Sequence, residues 1–311
     1  MSGILGTMPA VRPPLPLPTR EGVGPSCVGL PAGHWSTITD FLTAHFPAIA
    51  RQTWIERMQR GDVVDERGGA VTPERPYQAH IRVYYYRALD TEGVIPLDEQ
   101  VLYQDAHLVV ADKPHFLPVT PSGRYLQQTL LVRLRRRLGL DTLAPIHRID
   151  RETAGLVLFS VQPHTRGAYA DLFRRQGFSK QYEAIAPYRP DLAFPLTRRS
   201  RIEEGEPFFK LREVPGPPNT QTHIELLAQR QGLAHYRLTP LTGRKHQLRV
   251  HMAALGIPIV DDAFYPDIRL GPDEPDDLTR PLQLLARAIS FTDPVTGEPR
   301  RFESAQRLHL P

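Results

Sequence analysis

Residues 144–160 read APIHRIDRETAGLVLFS. One carboxylate, Asp150, stands between Arg148 and Arg151, and apolar runs lie on both sides of the trio. Short apolar runs bounded by a polar turn read as buried strands. The pattern predicts strands over 144–150 and 154–160 joined by a tight turn, with Asp150 at the end of the first. If that strand persists, Arg148 shares a face with Asp150, because alternate residues of a strand point the same way. Positive neighbours favour an ionised carboxylate. Such a group suits a nucleophile or an electrostatic stabiliser better than a proton donor. A structural ion pair at a strand end is the competing reading of this stretch.

Outward from it, strands dominate. VLYQDAHLVVADKP (101–114) reads as a hairpin, SKQYEAIA (179–186) as a strand, THIELLAQRQGLAHYRLTPL (222–241) as two strands about a turn, and AISFTDPVTGEPRRFES (288–304) as a closing hairpin. Between them TLLVRLRRRLG (129–139), PHTRGAYADLFRRQG (163–177) and GRKHQLRVHMAALG (243–256) carry helical spacing and end at glycine. Short turns between neighbouring strands predict an α+β fold, a mixed and largely antiparallel sheet with flanking helices, over 96–311. Residues 36–95 predict a smaller α+β module and linker, with helices in STITDFLTAHFP and RQTWIERMQRG and a strand in HIRVYYYR. Residues 1–35, rich in Pro and Gly, predict an irregular leader. YPDIRLGPDEPDDLTRP (265–281), which includes Asp273, reads as an acidic loop broken by prolines.

Composition narrows the function classes. The chain has 311 residues, 41% of them hydrophobic, and a formal net charge of +4. A packed core is within reach, and the mild basic excess fits a polyanionic partner without demanding one. All but four of the 38 Lys and Arg residues are arginine, the residue suited to bidentate phosphate contacts and to stacking on bases. Cys27 is the sole cysteine, so neither a disulfide framework nor a cysteine metal site is expected. The proline-interrupted N-terminus does not read as a signal peptide, and no apolar run approaches the ~18 residues of a membrane span. A cytoplasmic protein is expected.

Two further stretches could carry chemistry. In SKQYEAIA, Lys180 and Tyr182 share one strand face and Glu183 takes the other; the ring could stack on a nucleobase or simply pack. In TGRKHQLRVH (242–251), a helix would place His246 and Arg249 on one face and set Lys245 four residues before Arg249. His246 and His251 are five apart, which is not the i, i+4 pair of a zincin-type site, and no metal is expected.

These motifs together resemble the RluA-type pseudouridine synthases. HRIDRETAGLVLF resembles that family's signature, KQYEA its following strand motif, and LTGRKHQLRVHMAALGIPIVDDAFY its third motif, over roughly 98–305. Ile149 stands for the usual Leu and Ala154 for the usual Ser, and the HFLPVTPSG and LLARAISF runs also depart from the family's pattern. The 36–90 module resembles the S-four-type RNA-binding domain. The resemblance implies isomerisation of uridine to pseudouridine in ribosomal or transfer RNA, with no cofactor and no obligate protein partner. It implies Asp150 as the catalytic aspartate, Tyr182 as the ring stacked on the target base and an aid to proton removal from the ribose, and Arg249 as the partner of Asp150. Arg148 would fill the place of the flipped-out uridine. Lys180, Arg151, Arg244 and His246 would contact RNA, and the arginines at 133–137 would hold phosphates. A non-catalytic RNA-binding protein on the same fold is the alternative. A hydrolase using Asp150 as nucleophile is a further one, disfavoured because no second carboxylate is expected in the motif region.

Overall fold

The computed structural model describes residues 17–89, 91–207, 209–271 and 274–310. They form two compact units, Met1–Thr91 and Glu92–Pro311.

Unit 1 runs β1 (Ser26–Gly29), α1 (Ile38–His45), α2 (Arg51–Gln59), β2 (Val63–Asp65) and β3 (Arg82–Tyr85), with sheet order β1-β3-β2. Helix α1 starts where the sequence signals it. Thr37 accepts from the Asp40 amide at 3.1 Å and Asp40 accepts from the Thr37 amide at 2.9 Å, a reciprocal cap worth about 0.5–2 kcal/mol. Ile38, Phe41 and Leu42 of α1 and Trp54 and Met58 of α2 bury against Val63 and Val83 of the sheet. One expectation fails here. The leader is not irregular throughout, because Ser26–Gly29 pairs with β3 and buries Val28. Three-residue β2 alone leaves one edge of β3 without a partner, and β1 supplies it. Residues 1–16 lie outside the described part.

Unit 2 runs β4 (Gln100–Gln104), β5 (Leu108–Lys113), α3 (Leu130–Leu138), β6 (Ala144–Pro145), β7 (Ala154–Ser160), α4 (Arg166–Arg174) and β8 (Ser179–Pro187). It continues through β9 (Leu196–Glu204), β10 (Leu211–Val214), β11 (Thr220–Arg230), β12 (Leu233–Pro240), α5 (Gln247–Ala254), β13 (Leu284–Thr292) and β14 (Pro299–Glu303). The sheet order is β10-β9-β11-β12-β8-β13-β7-β5-β4, with β14 on β13 and β6 on β7. Among the described strand pairs of this sheet only β13–β7 is parallel. The mixed, largely antiparallel α+β reading stands.

Strands β5 and β7 are buried on both faces, which is why their sequences run apolar without a break. Val109, Ala111, Val157 and Phe159 face α3, where Leu130, Leu131 and Leu134 meet them. Leu108, Val110, Leu156 and Leu158 face the other way, onto Tyr169 of α4 and Phe291 of β13. Each such aliphatic side chain contributes about 1.5–3 kcal/mol on full burial. At the start of β7, Gly155 has φ +108°, and a Cβ there would sit 2.3 Å from the Ala286 carbonyl oxygen. Only glycine lets β7 and β13 approach so closely. That closeness brings β7, β8 and β13 side by side beneath the motif residues.

The strand expected over 144–150 is mostly absent: pairing stops at Pro145, and 147–150 is irregular. Asp150 therefore lies on a loop held by side chains, not at a strand end. The basic helix also differs. Arg133 donates to the Ile95 and Leu97 carbonyls at 2.7 Å, Arg135 to the Leu143 carbonyl at 2.8 Å, and Arg137 pairs with Glu99 at 3.3 Å. Three of the four arginines expected at phosphates instead tie α3 to the segments around it, which would otherwise leave carbonyls unpaired.

Candidate functional site

The motif residues converge on a cavity of about 860 Å³, within the range of ligand pockets. Its walls come from the 147–153 loop, Lys180 and Tyr182 of β8, and the 242–249 segment.

The 147–153 loop has no ladder, so its backbone groups are satisfied one by one. The Thr153 amide donates to the Asp150 carbonyl at 3.2 Å. Lys113 Nζ donates to the Arg151 carbonyl at 2.9 Å, and His115 Nδ1 bonds the Glu152 carbonyl at 2.7 Å. His147 Nε2 accepts from the Leu158 amide at 3.2 Å, and its ring stacks on Phe173 at 5.8 Å. Lys113, His115 and His147 were assigned no role from sequence. Lys113 and His115 belong to the DKPH run, whose polar residues directly after a buried strand were the available signal. Lys113 is fully buried, and burial pushes its ammonium down to about 7, against the pull of Glu152 and Asp150. Burial likewise holds His147 down at about 3, so its ring is a neutral structural acceptor.

Arg249 stands at the centre. It is 1% exposed. Asp262 grips it through two bonds, at 2.8 Å to Nε and 2.6 Å to Nη2. The remaining nitrogen, Nη1, lies 3.4 Å from Glu152 and 3.5 Å from Asp150. The expected Arg249–Asp150 pair exists, but Asp262 is the stronger partner and was missed. Burial opposes the Arg249 charge; Asp262, Glu152 and Asp150 outweigh it and raise its pKa. Contrary to expectation the motif region holds a second carboxylate, Glu152, clamped between Arg249 and Arg151, which approaches it at 3.0 Å. Burial alone would push its carboxyl up; the two arginines hold it below the usual range.

Asp150 differs from the other two carboxylates. Its side chain is 25% exposed, against 12% for Glu152 and 0% for Asp262. Neither of its oxygens accepts a hydrogen bond within 3.5 Å from any described residue, and its basic neighbours Arg249 and His246 stand at 3.5 and 4.0 Å. It is the carboxylate of this trio with acceptor capacity left for a ligand.

The other sequence-predicted residues fall into two groups. Tyr182 lines the cavity wall, and burial, then Asp150, raises its phenol above the ordinary value. Lys180 lies over the Phe173 ring at 4.9 Å, and burial lowers its ammonium. Arg148 and Arg244 are exposed at the cavity. Gln247 Oε1 accepts from both the Thr242 hydroxyl (2.8 Å) and the Arg244 amide (3.2 Å), which fixes the backbone ahead of α5. Two placements differ from expectation. Helix α5 begins only at Gln247, with His246 before it at φ +53°, so Lys245 and Arg249 share no helical face. His246 is buried, bonded to the Tyr265 hydroxyl at 3.0 Å; burial, despite Asp150, holds its imidazole below the ordinary value. Arg151 faces away from Asp150 and forms a two-pronged pair with Asp276, at 2.5 and 2.9 Å.

The described residues contain no group of three or more His, Cys, Asp or Glu able to hold a metal. No helix among them is long and apolar enough to cross a membrane.

Comparison with known proteins places this geometry. The RNA pseudouridylate synthase family model matches residues 107–254. An RNA pseudouridine synthase of Synechocystis is 31% identical over 231 residues, covering 73% of this chain and 78% of its own. The dual-specificity RNA pseudouridine synthase RluA of Haemophilus influenzae is 31% identical over 210 residues, covering 66% and 91%. The ribosomal large subunit pseudouridine synthase C of Escherichia coli is 28% identical over 289 residues, covering 86% and 88%. Human RNA pseudouridylate synthase domain containing 1 superposes with a TM-score of 0.56 at 21% identity, covering 70% of this chain and 86% of its own, which speaks for the fold. With motifs, fold and relatives in agreement, the chain belongs to the RNA pseudouridylate synthase family.

Proposed function

We propose that Asp150 is the carboxylate through which this chain performs its family's reaction, the isomerisation of uridine to pseudouridine in RNA. The bond from ribose C1′ to base N1 breaks, the base turns, and a bond from C1′ to C5 forms. The proton lost from C5 is balanced by one gained at N1. The observation that carries the proposal is the unsaturated, part-exposed Asp150 carboxylate beside an arginine already anchored by Asp262. An anion so placed serves either to attack the ribose or to stabilise positive charge as the base departs.

The surrounding residues support matching roles. Tyr182 presents a ring on the cavity wall for stacking on the target base. Its raised phenol stays protonated, which favours stacking over action as a base. A paired uridine must leave its helix at a cost of a few kcal/mol, and exposed Arg148 is placed to fill the gap. Lys180 and Arg244 supply positive charge at the cavity, giving salt-sensitive affinity. Buried His246 and ion-paired Arg151 offer less to RNA as they stand.

Unit 1 is an S-four-like RNA-binding module on this reading. Its support is a separate core under two short helices, with Arg51 and Arg60 exposed on α2 and at its end. Ribosomal or transfer RNA in the cytoplasm is the proposed setting; the ribosomal large subunit named for one relative and the tRNA named for another, from Saccharomyces cerevisiae and 30% identical over 172 residues, support the substrate class. Pseudouridine-specific mapping of total RNA from cells with and without the gene tests the proposal. A uridine modified only when the gene is present is expected; identical maps refute it.

A further inference from the structure

The acidic loop that follows Tyr265 has no part in the account above, yet one of its residues reaches the cavity rim. Of residues 274–280, all but Asp276 are exposed. Asp276 turns inward, with its side chain 11% exposed, and meets Arg151 at 2.5 and 2.9 Å and Arg124 at 3.8 Å. Both guanidiniums also lie against the Tyr125 ring, at 5.4 Å for Arg124 and 5.7 Å for Arg151. Arg124, Tyr125 and Arg151 line the same cavity as Asp150.

Two arginines around an aromatic ring are the chemistry of a nucleotide contact: bidentate donors for phosphate oxygens beside a surface for a base or sugar. A carboxylate presents two anionic oxygens to Arg151, much as a phosphodiester does. Arg151 does not need Asp276 for charge balance, because Glu152 also pairs with it, at 3.0 Å to Nη2 and 3.1 Å to Nε. Removing Asp276 would leave no buried arginine unpaired, and Asp276 itself would return to a stretch of exposed residues.

We propose that Arg124, Arg151 and Tyr125 form a subsite for an RNA phosphate next to the target uridine, and that Asp276 occupies it as an internal anion until RNA displaces it. The proposal rests on the RNA-isomerase reading of the cavity. It makes the acidic loop a competitor for RNA: nonspecific RNA must displace Asp276 to bind, and RNA with a phosphate at this position recovers the lost ion pair.

The test uses the full chain and a uridine-rich single-stranded RNA, with affinity measured by fluorescence anisotropy over a salt series. Asp276→Asn is expected to bind on the order of 5–10-fold tighter than wild type, because a charged competitor is gone. Asp277→Asn, which makes the same charge change on an exposed neighbour bonded within its own turn, is the control. Arg124→Gln is expected to weaken binding and to flatten the salt dependence by about 0.7 in log–log slope, one phosphate contact on a single strand. If Asp276→Asn binds no tighter than Asp277→Asn, the ion pair is a structural latch and the proposal is overturned. If Asp276→Asn does not fold, Arg124→Gln decides alone, since Arg124 is exposed; an unchanged slope overturns the subsite. A wild-type chain that binds this RNA with normal salt sensitivity keeps the RNA reading intact through either failure, whereas one that binds no RNA sinks that reading first.

Discussion

Arg249 and Asp262 make a two-pronged buried pair, at 2.6 and 2.8 Å, and that pair sets what Arg249 can offer Asp150. With Nε and Nη2 committed, only Nη1 is left, 3.5 Å from an Asp150 oxygen. The Asp150 carboxylate thus has a fixed positive neighbour that does not saturate it. Asp262 also accepts the Phe264 and Tyr265 amides at 2.9 and 3.1 Å, so the segment after α5 is organised by the same carboxylate.

Asp262→Asn should therefore be a stability variant before it is an activity variant. Breaking a buried ion pair by neutralising one partner costs about 3–5 kcal/mol. Urea unfolding of Asp262→Asn and Asp150→Asn side by side measures this. Asp262→Asn should lose several times more; an equal loss would show that Asp262 is not the anchor.

Asp150→Asn should fold, bind RNA and make no detectable pseudouridine in single-turnover assays. The amide keeps the shape but is neither a nucleophile nor an anion. On the proposed reading phosphates are held by other residues, so RNA affinity at fixed salt should not fall. More than trace turnover by the folded, RNA-binding variant would return Asp150 to a purely structural role.

Tyr182 separates stacking from proton chemistry. Stacking of a base on an aromatic ring is worth about 1–3 kcal/mol, so Tyr182→Ala should reduce turnover of bound RNA far more than Tyr182→Phe. If the two variants are equally inactive, the hydroxyl carries chemistry and stacking does not suffice.

Lys113 gives the chain a pH signature in stability. Its pKa falls from 10.5 to about 7 on folding, so between those values the unfolded chain holds the extra proton. Stability then rises with pH, because the unfolded state binds more protons. Below about pH 7 the full penalty of burying the ammonium is present, and it is progressively relieved toward pH 10.5. Wild type minus Lys113→Met, measured by denaturant unfolding from pH 7 to 10, should show this upward slope. A flat difference would mean that Lys113 does not change its proton occupancy on folding.

Unit 1 is expected to add affinity and not chemistry, because every motif matched to the family lies in unit 2. A chain of residues 92–311 should bind RNA more weakly yet isomerise saturating RNA at close to the full single-turnover rate. Loss of that rate in a folded fragment would assign unit 1 a part in the chemistry.

The sequence by itself determined the elements whose signals are local. Thr37 and Asp40 cap α1 within one turn, the apolar runs of β5 and β7 record burial on both faces, and the resemblance of three motifs to one family marks Asp150, Tyr182 and Arg249 for one site. Tertiary structure alone decided which carboxylate holds which arginine. Asp262, Glu152, Asp150 and Asp276 are all acidic residues in or after motifs, and nothing in their spacing distinguishes an anchor from an open acceptor. That distinction arises from how deeply each is buried and how many donors reach it, and the donors come from α5 and the loops, far apart in the chain. The same holds for α3, whose arginines are expected at RNA phosphates. Three of them instead bind carbonyls and a carboxylate of the 95–99 and 143 segments, because backbone groups shielded from water must find donors wherever the fold brings them.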